Sequence, residues 1–368
     1  MSMEYNKAKG EILLKKKIKY TLIGIGILLF LLISFTIFNT FTAKSKQPEP
    51  IPTKIALDEE AAIKRFSESL KIKTISYPDR SKFDFSEFDR FIDFLEQSYP
   101  EVHENLQLEK INDYALMYKW SGTDSSKNPI GLTAHYDVVP VLEGTEKNWE
   151  QDPFGGEVVD GYIWGRGTLD DKIGVIGILE AITYLLDQNF IPNRDMYFMF
   201  GFDEEIGGEE GAKAIVDTLE ERGITFDFVL DEGGAIVENM VPGVDDPVGV
   251  VGVAEKGSAT VELTVEGSGG HSSQPKSETN IGKIARAIAK LEETQFEASL
   301  SGPGELLFDY VTPHMNIGLK YVMSNRFLFK PIIEKILLEE PASAALIRTT
   351  IAPTIFQAGE QYNVLPEK

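Results

Sequence analysis

Three short apolar runs, at residues 129–134, 196–202 and 226–230, constrain the fold most, because a helical pattern over residues 172–188 stands between the first two. Strands joined through a helical crossover lie parallel and are covered on both faces, so they read as nearly continuous apolar stretches. The expectation is an α/β domain on a mainly parallel sheet. Helical periodicity over residues 57–72 and 87–97 precedes it, as befits elements that flank such a sheet. Near residue 254 the pattern changes to alternation in ATVELTVEG, then a helix through NIGKIARAIAKLEET, then the strand-like RTTIAPTIF. A second, smaller α+β domain is expected over residues 254–368, after a first one over 56–253.

Upstream, residues 21–38 (TLIGIGILLFLLISFTIF) carry no charge and approach the ~20 apolar residues that a membrane-spanning helix needs. Lys15, Lys16, Lys17 and Lys19 precede them, which by the positive-inside rule holds the N-terminus in the cytoplasm and sends the rest outside. A cleavable signal peptide is disfavoured, since its apolar region spans only ~7–15 residues and no A-x-A site follows. The organisation read from this is a basic cytoplasmic tail (1–19), a single-pass anchor (20–41) and a linker (42–55). Within the linker, KSKQPEPIPT has the composition of a stiff, proline-containing stalk. The chain is then a membrane protein with its folded part extracellular or lumenal.

A formal charge of -22 makes nucleic acid an unsuitable partner and suits a solvated surface outside the cell. The chain has no cysteine, which excludes thiolate metal sites, disulfides and cysteine nucleophiles. Any metal must be held by His, Asp and Glu.

Four separate strings place such residues just past a predicted strand or at the entry to a helix. They are His135 and Asp137 in AHYDVVP, Asp170 and Asp171 in GRGTLDDK, Asp203 to Glu205 in GFDEEIGG, and Asp231 and Glu232 in VLDEGG. Ligands of open α/β sheets bind at that edge. Taken singly, each string reads as a satisfied histidine, a helix cap or a solvated loop. Together at one edge they would repel one another, and a divalent cation is the economical remedy. Oxygen and imidazole donors suit catalytic zinc, with cobalt or manganese accepting the same set.

In combination with WEQDPFGGEVVDGYIWGRGTLDDK, GSGGHSSQP and NVLP, these strings make the chain, from about Leu57 to its last residue, resemble the zinc metallopeptidases. That family includes carboxypeptidase S, aminoacylase, acetylornithine deacetylase and succinyl-diaminopimelate desuccinylase. The resemblance implies a zinc-peptidase-like catalytic domain with a lid and dimerisation domain, and two zinc ions. It implies His135, Asp170, Glu205 and Asp231 as metal ligands, Asp170 bridging the two ions, and Asp137 as the group orienting the imidazole of His135. Asp171 is left as a cap or a neighbour of Lys172. Glu204 would be the general base, taking a proton from a water activated by two metals ~3.5–4 Å apart and returning it to the leaving nitrogen. His271 would stabilise the oxyanion, across a homodimer interface, while Arg348 and Asn363 would hold the substrate's carboxylate or carbonyl oxygen. His103 and His314 read as structural. The glycine-rich loop around His271 lacks the GK[ST] of a phosphate cradle.

The implied activity is hydrolysis of an amide bond next to a free carboxylate, in a small peptide or an N-acyl amino acid. A two-zinc dipeptidase or aminopeptidase is the alternative, distinguished by a pocket acid for a free amino group; an inactive surface-anchored binding relative is the third reading. The family supplies one more histidine, a ligand of the second zinc, after NVLP, and its chain returns there to the catalytic domain. The sequence stops at Lys368, so it reads either as a fragment or as a chain with an incomplete second metal site.

Overall fold

In the computed structural model, which describes residues 2–49, 51 and 55–368, all three apolar runs join one sheet. They form β3 (Ile130–His135), β6 (Met196–Gly201) and β7 (Phe228–Leu230), with β3 central and parallel to both neighbours. The crossover helix is α5 (Lys172–Asp187), capped by the Asp171 carboxylate, which accepts the Gly174 N–H at 3.2 Å. Helices α2 (Glu59–Leu70), α3 (Phe85–Ser98) and α4 (Pro100–Asn105) come first, each of α2 and α3 opened by an aspartate N-cap.

The sheet is mixed instead of mainly parallel. Strands β1 (Gln107–Ile111) and β2 (Ala115–Trp120) form a hairpin that pairs antiparallel with β6, giving the order β1-β2-β6-β3-β7. The hairpin turns on Asn112 and Asp113, both at positive φ (50° and 69°), a geometry that Asn and Asp reach without glycine. β2 is buried along almost its whole length, so no alternation announced it.

Beneath the site lies an aromatic core. Tyr136 is fully buried, stacks on Phe91 at 4.8 Å and donates its hydroxyl to the Tyr114 carbonyl at 2.6 Å. Burying a ring of this kind contributes on the order of 1.5–3 kcal/mol. Arg65 of α2 grips Glu180 of α5 through two hydrogen bonds of 2.6 and 2.7 Å, and the Tyr99 hydroxyl donates to the same carboxylate at 2.7 Å. Lys172, fully buried, donates to the Ser69 and Ile72 carbonyls and so ties the start of α5 to the end of α2.

Residues 51–233, which hold all of this, form one compact unit; residues 1–50 and 234–368 form the other. The small hairpin β4 (Val158–Val159) and β5 (Tyr162–Ile163) and the short helix α6 (Ala212–Glu221) complete the first. In the second, α1 (Ser2–Thr42) includes the single helix among the described residues long and apolar enough to cross a membrane. Met1, at the start of the predicted tail, and residues 50 and 52–54 of the predicted linker lie outside the described residues.

The rest of that unit is chiefly helical. It has the ribbon β8 (Ala235–Val237) and β9 (Val248–Val250), β10 (Gly270–His271), α7 (Asn280–Glu293), α8 (Pro303–Val311), α9 (Ile317–Ser324), α10 (Arg326–Leu337), α11 (Pro341–Ile347) and β11 (Val364–Leu365). Val241, Leu300, Phe308, Met323 and Ile333 belong to its own apolar core. Helix α7 matches the sequence pattern, but neither ATVELTVEG nor RTTIAPTIF is a strand. Alternation marks a surface that suits a sheet, and a strand also needs a ladder partner; Val261 and Ile355 are instead largely exposed.

Candidate metal centre

Register places the site. His135 ends β3 opposite Gly201, the last residue of β6, while Leu132 faces Leu230, the last of β7. The loops after all three strands therefore leave the sheet side by side. Because the fully buried Tyr136 points into the aromatic core, its neighbours His135 and Asp137 are turned the other way.

His135 Nε2 lies 2.9 Å from Asp170 Oδ1 and 3.1 Å from Glu232 Oε2, with Glu204 Oε2 at 3.7 Å. One donor atom from each of His135, Asp170 and Glu232 falls within 4.8 Å of the others. The sequence reading gave the ligand role to Asp231, and the structure places Glu232, not Asp231, in this group. The Asp231 carboxylate turns back to accept the N–H of Glu232 at 2.9 Å, and the longer side chain of Glu232 reaches the imidazole. The DE doublet at a strand end was visible in sequence, but nothing in it tells which acid faces inward. Glu205 is also outside the group of three.

Asp137, completely buried, holds the arrangement. His135 Nδ1 lies 3.1 Å from the Asp137 backbone carbonyl and 3.2 Å from its Oδ1, and the two carboxylate oxygens accept the backbone N–H groups of Glu204 and Glu205 at 3.1 and 3.2 Å. One carboxylate thus fixes the imidazole and the turn that carries both glutamates. That turn is closed by Asp203, which accepts the Glu210 and Gly211 N–H groups at 2.8 and 2.9 Å. Gly207 and Gly208 sit at φ of 108° and 67°, where side chains are strained, which accounts for the GG of DEEIGG.

The electrostatics are those of acids crowded around one base. Burial alone would lower the pKa of His135, but the hydrogen bond and charge of Asp137, with the charges of Glu232 and Glu204, push it up to about 10. Glu204 and Glu205 are raised, first by burial and then by neighbours that include Asp137 and Asp170. Burial raises Glu232 as well, and burial together with Glu232 pushes Asp171 up to about 7. The crowding thus favours protons on these groups wherever no cation neutralises them. An imidazole and several carboxylates converging without thiolate fit a divalent cation of the zinc, cobalt or manganese kind.

The remaining predicted residues belong to the other unit. His271 and Val364 pair across the β10–β11 ribbon, and the Asn363 carbonyl accepts the Ser272 N–H at 3.1 Å, so His271 and Asn363 are neighbours. His271 Nδ1 is 2.8 Å from Ser273 Oγ. Arg348 follows α11, and its carbonyl accepts from Lys256 Nζ at 3.4 Å. Of the histidines read as structural, His103 lies 3.0 Å from both the Tyr118 hydroxyl and the Tyr99 carbonyl, and His314 lies 3.1 Å from Ser45 Oγ.

Comparison with known proteins adds a lineage. Residues 131–320 match the model of peptidase family M20/M25/M40. A probable carboxypeptidase S-like protein of Dictyostelium discoideum is 42% identical over 93% of this chain and 66% of its own length. An N-fatty-acyl-amino acid synthase/hydrolase of Xenopus tropicalis is 37% identical over 100% of this chain and 71% of its own. Carboxypeptidase S of Saccharomyces cerevisiae is 34% identical, over 83% and 56%. The chain thus spans about two-thirds of the length of the first of these relatives. Human carnosine dipeptidase 1 shares the fold, at a TM-score of 0.51, 14% identity, and 84% of this chain against 68% of that one.

Proposed function

Because the chain belongs to peptidase family M20/M25/M40, we propose that it is a metal-dependent hydrolase cleaving an amide bond next to a free carboxylate, in a small peptide or an N-acyl amino acid. The observation that carries this is the convergence of His135 Nε2, Asp170 Oδ1 and Glu232 Oε2 beside the unligated carboxylate of Glu204. His135, Asp170 and Glu232 would hold one divalent cation, and Asp170 and Glu205 would help to hold a second. When bound, the cations lower the pKa of a water molecule and polarise the scissile carbonyl.

Glu204 is the general base. Its raised pKa suits a group that must take a proton from the attacking water and return it to the leaving nitrogen. Asp137 keeps the ring of His135 and the backbone of Glu204 in one geometry, so that the base stays aimed as substrate enters. Residues 254–368 serve as the lid and dimerisation domain, with His271 for the oxyanion and Arg348 and Asn363 for the substrate carboxylate. The names of the relatives, a carboxypeptidase and an N-fatty-acyl-amino acid synthase/hydrolase, support a substrate with a free carboxylate. Helix α1 anchors the protein in a membrane with the N-terminus cytoplasmic, which its long apolar run and the lysines just before that run support.

The test is metal content per chain together with turnover of a panel of N-acyl amino acids and dipeptides, for the wild type and Glu204→Ala. Expected is bound zinc in both and a loss of turnover of roughly 10²–10⁴-fold in the variant. Equal turnover in both proteins removes Glu204 from the chemistry.

A further inference from the structure

The outer end of α1 is built into the unit that follows it. Thr36 and Thr40 are buried there, and so is Asn325, which sits between α9 and α10. Asn325 Nδ2 lies 3.1 Å from the Thr36 carbonyl and 3.3 Å from Thr40 Oγ1, and its Oδ1 accepts from Asn39 Nδ2 at 3.3 Å. The Tyr321 hydroxyl is 2.9 Å from Thr36 Oγ1. Phe327, at the start of α10, packs edge-on against Phe35 with ring centroids 5.8 Å apart.

These contacts fix a depth. Phe35 and Thr36 lie inside the apolar run of residues 21–38, two or three residues before its end, after which the chain turns polar at Asn39 and Thr40 and meets its first charge at Lys44. At ~1.5 Å per residue, that is roughly 3–5 Å below the end of the apolar run. Whatever touches them sits at the border between acyl chains and headgroups.

Helix α10 is also amphipathic in the wrong sense for water. Its exposed arc carries Phe327, Leu328, Pro331, Ile332 and Ile336, with Lys335 as the one charge among them; Phe327 is 61% exposed and Ile332 55%. A contiguous apolar row of this kind, where a solvated helix presents charges, marks a surface that is covered in use. The row begins at Phe327, which touches Phe35 of α1, and lysines such as Lys330 and Lys335 can extend their heads to the interface.

Taking α1 as a membrane span, we propose that α10 is a second membrane contact, lying in the outer interface with Phe327, Leu328, Ile332 and Ile336 in the lipid. A helix of this type adds apolar burial to the span without crossing. The unit would then rest on the membrane through two elements joined by the Asn325 network.

The absence of cysteine allows a clean test with the full chain in phosphatidylcholine vesicles. Single cysteines replace Leu28 in mid-span, Phe327 and Ile332 on α10, and Ile355 as an exposed control, each labelled with an environment-sensitive fluorescent maleimide. Quenching is read with nitroxide-bearing lipid and with aqueous iodide. Expected is lipid quenching at Phe327→Cys and Ile332→Cys comparable with that at Leu28→Cys, with iodide quenching only Ile355→Cys. If Leu28→Cys responds to lipid while both α10 positions respond to iodide, the span stands and the second contact is refuted. Shielding of α10 from both quenchers assigns the row to a protein partner, such as a second copy, and equally overturns the proposal. A Leu28→Cys signal that ignores lipid overturns the span and the inference together.

Discussion

Residues 51–233 and residues 234–368 differ in how each satisfies its backbone. The first unit closes a five-stranded sheet with a continuous aromatic core, and its functional side chains emerge from strand ends held in register. The second relies on helices, with two strand pairs of two or three residues each among its described residues and long stretches such as 251–269 outside regular structure. A site that needs sub-ångström placement is carried by the first. Strand register is an exacting form of positioning, because a one-residue slip would exchange His135 for Tyr136.

The contrast can be broken at the metal site first. Glu232→Gln should reduce zinc affinity by more than the ~10–100-fold typical of an outer-shell residue, while Asp231→Asn should do less, as measured by competition with a fluorescent chelator. The reverse order would restore Asp231 as the ligand. Next in size is the core itself. Leu116→Ala, fully buried in β2, should cost about 2–5 kcal/mol in chemical denaturation. Val261→Ala, in the exposed stretch, should stay within about 0.5 kcal/mol; an equal cost at both positions would erase the distinction drawn between the units.

Asp137→Asn comes third, with an expected loss of about 10–100-fold in zinc affinity accompanied by a fall in kcat. The smallest effect is one of pH. His135, Glu204, Glu205 and Glu232 all have raised pKa values in the fold, so in the metal-free protein they favour the folded state at low pH. That contribution is lost as pH rises through the folded values, up to about 10 for His135. A cation displaces those protons, so the rise in Tm on adding zinc should be larger at pH 8 than at pH 6. A zinc-induced shift that shrinks with pH would contradict this assignment of protons.

Legibility in the sequence followed the same division. Apolar runs announced β3, β6 and β7, although only β6 is buried along almost its whole length and β7, at the sheet edge, is exposed; the acids after them pointed to the candidate site, since apolar runs and charge are written locally. The hairpin of β1 and β2 was hidden because its turn uses Asn112 and Asp113 without a glycine, and because β2 is buried on both sides. The alternating runs at 259–267 and 348–356 misled for the opposite reason, as a strand pattern without a pairing partner. The choice between the adjacent acids Asp231 and Glu232 was not legible, because it depends on side-chain reach, and in the structure it is Glu232 that lies 3.1 Å from the imidazole of His135.

Asp137 has an evolutionary meaning apart from its hydrogen bonds. Its Oδ1 faces the imidazole and accepts from Glu204 while Oδ2 accepts from Glu205, so a change of side chain at this position disturbs the ring and the turn together, leaving the ring's Nδ1 only the backbone carbonyl of the same residue at 3.1 Å. A descendant that lost the side chain would loosen both halves of the machinery in one step, which makes position 137 a quick marker, in any relative, of whether the apparatus is still under selection.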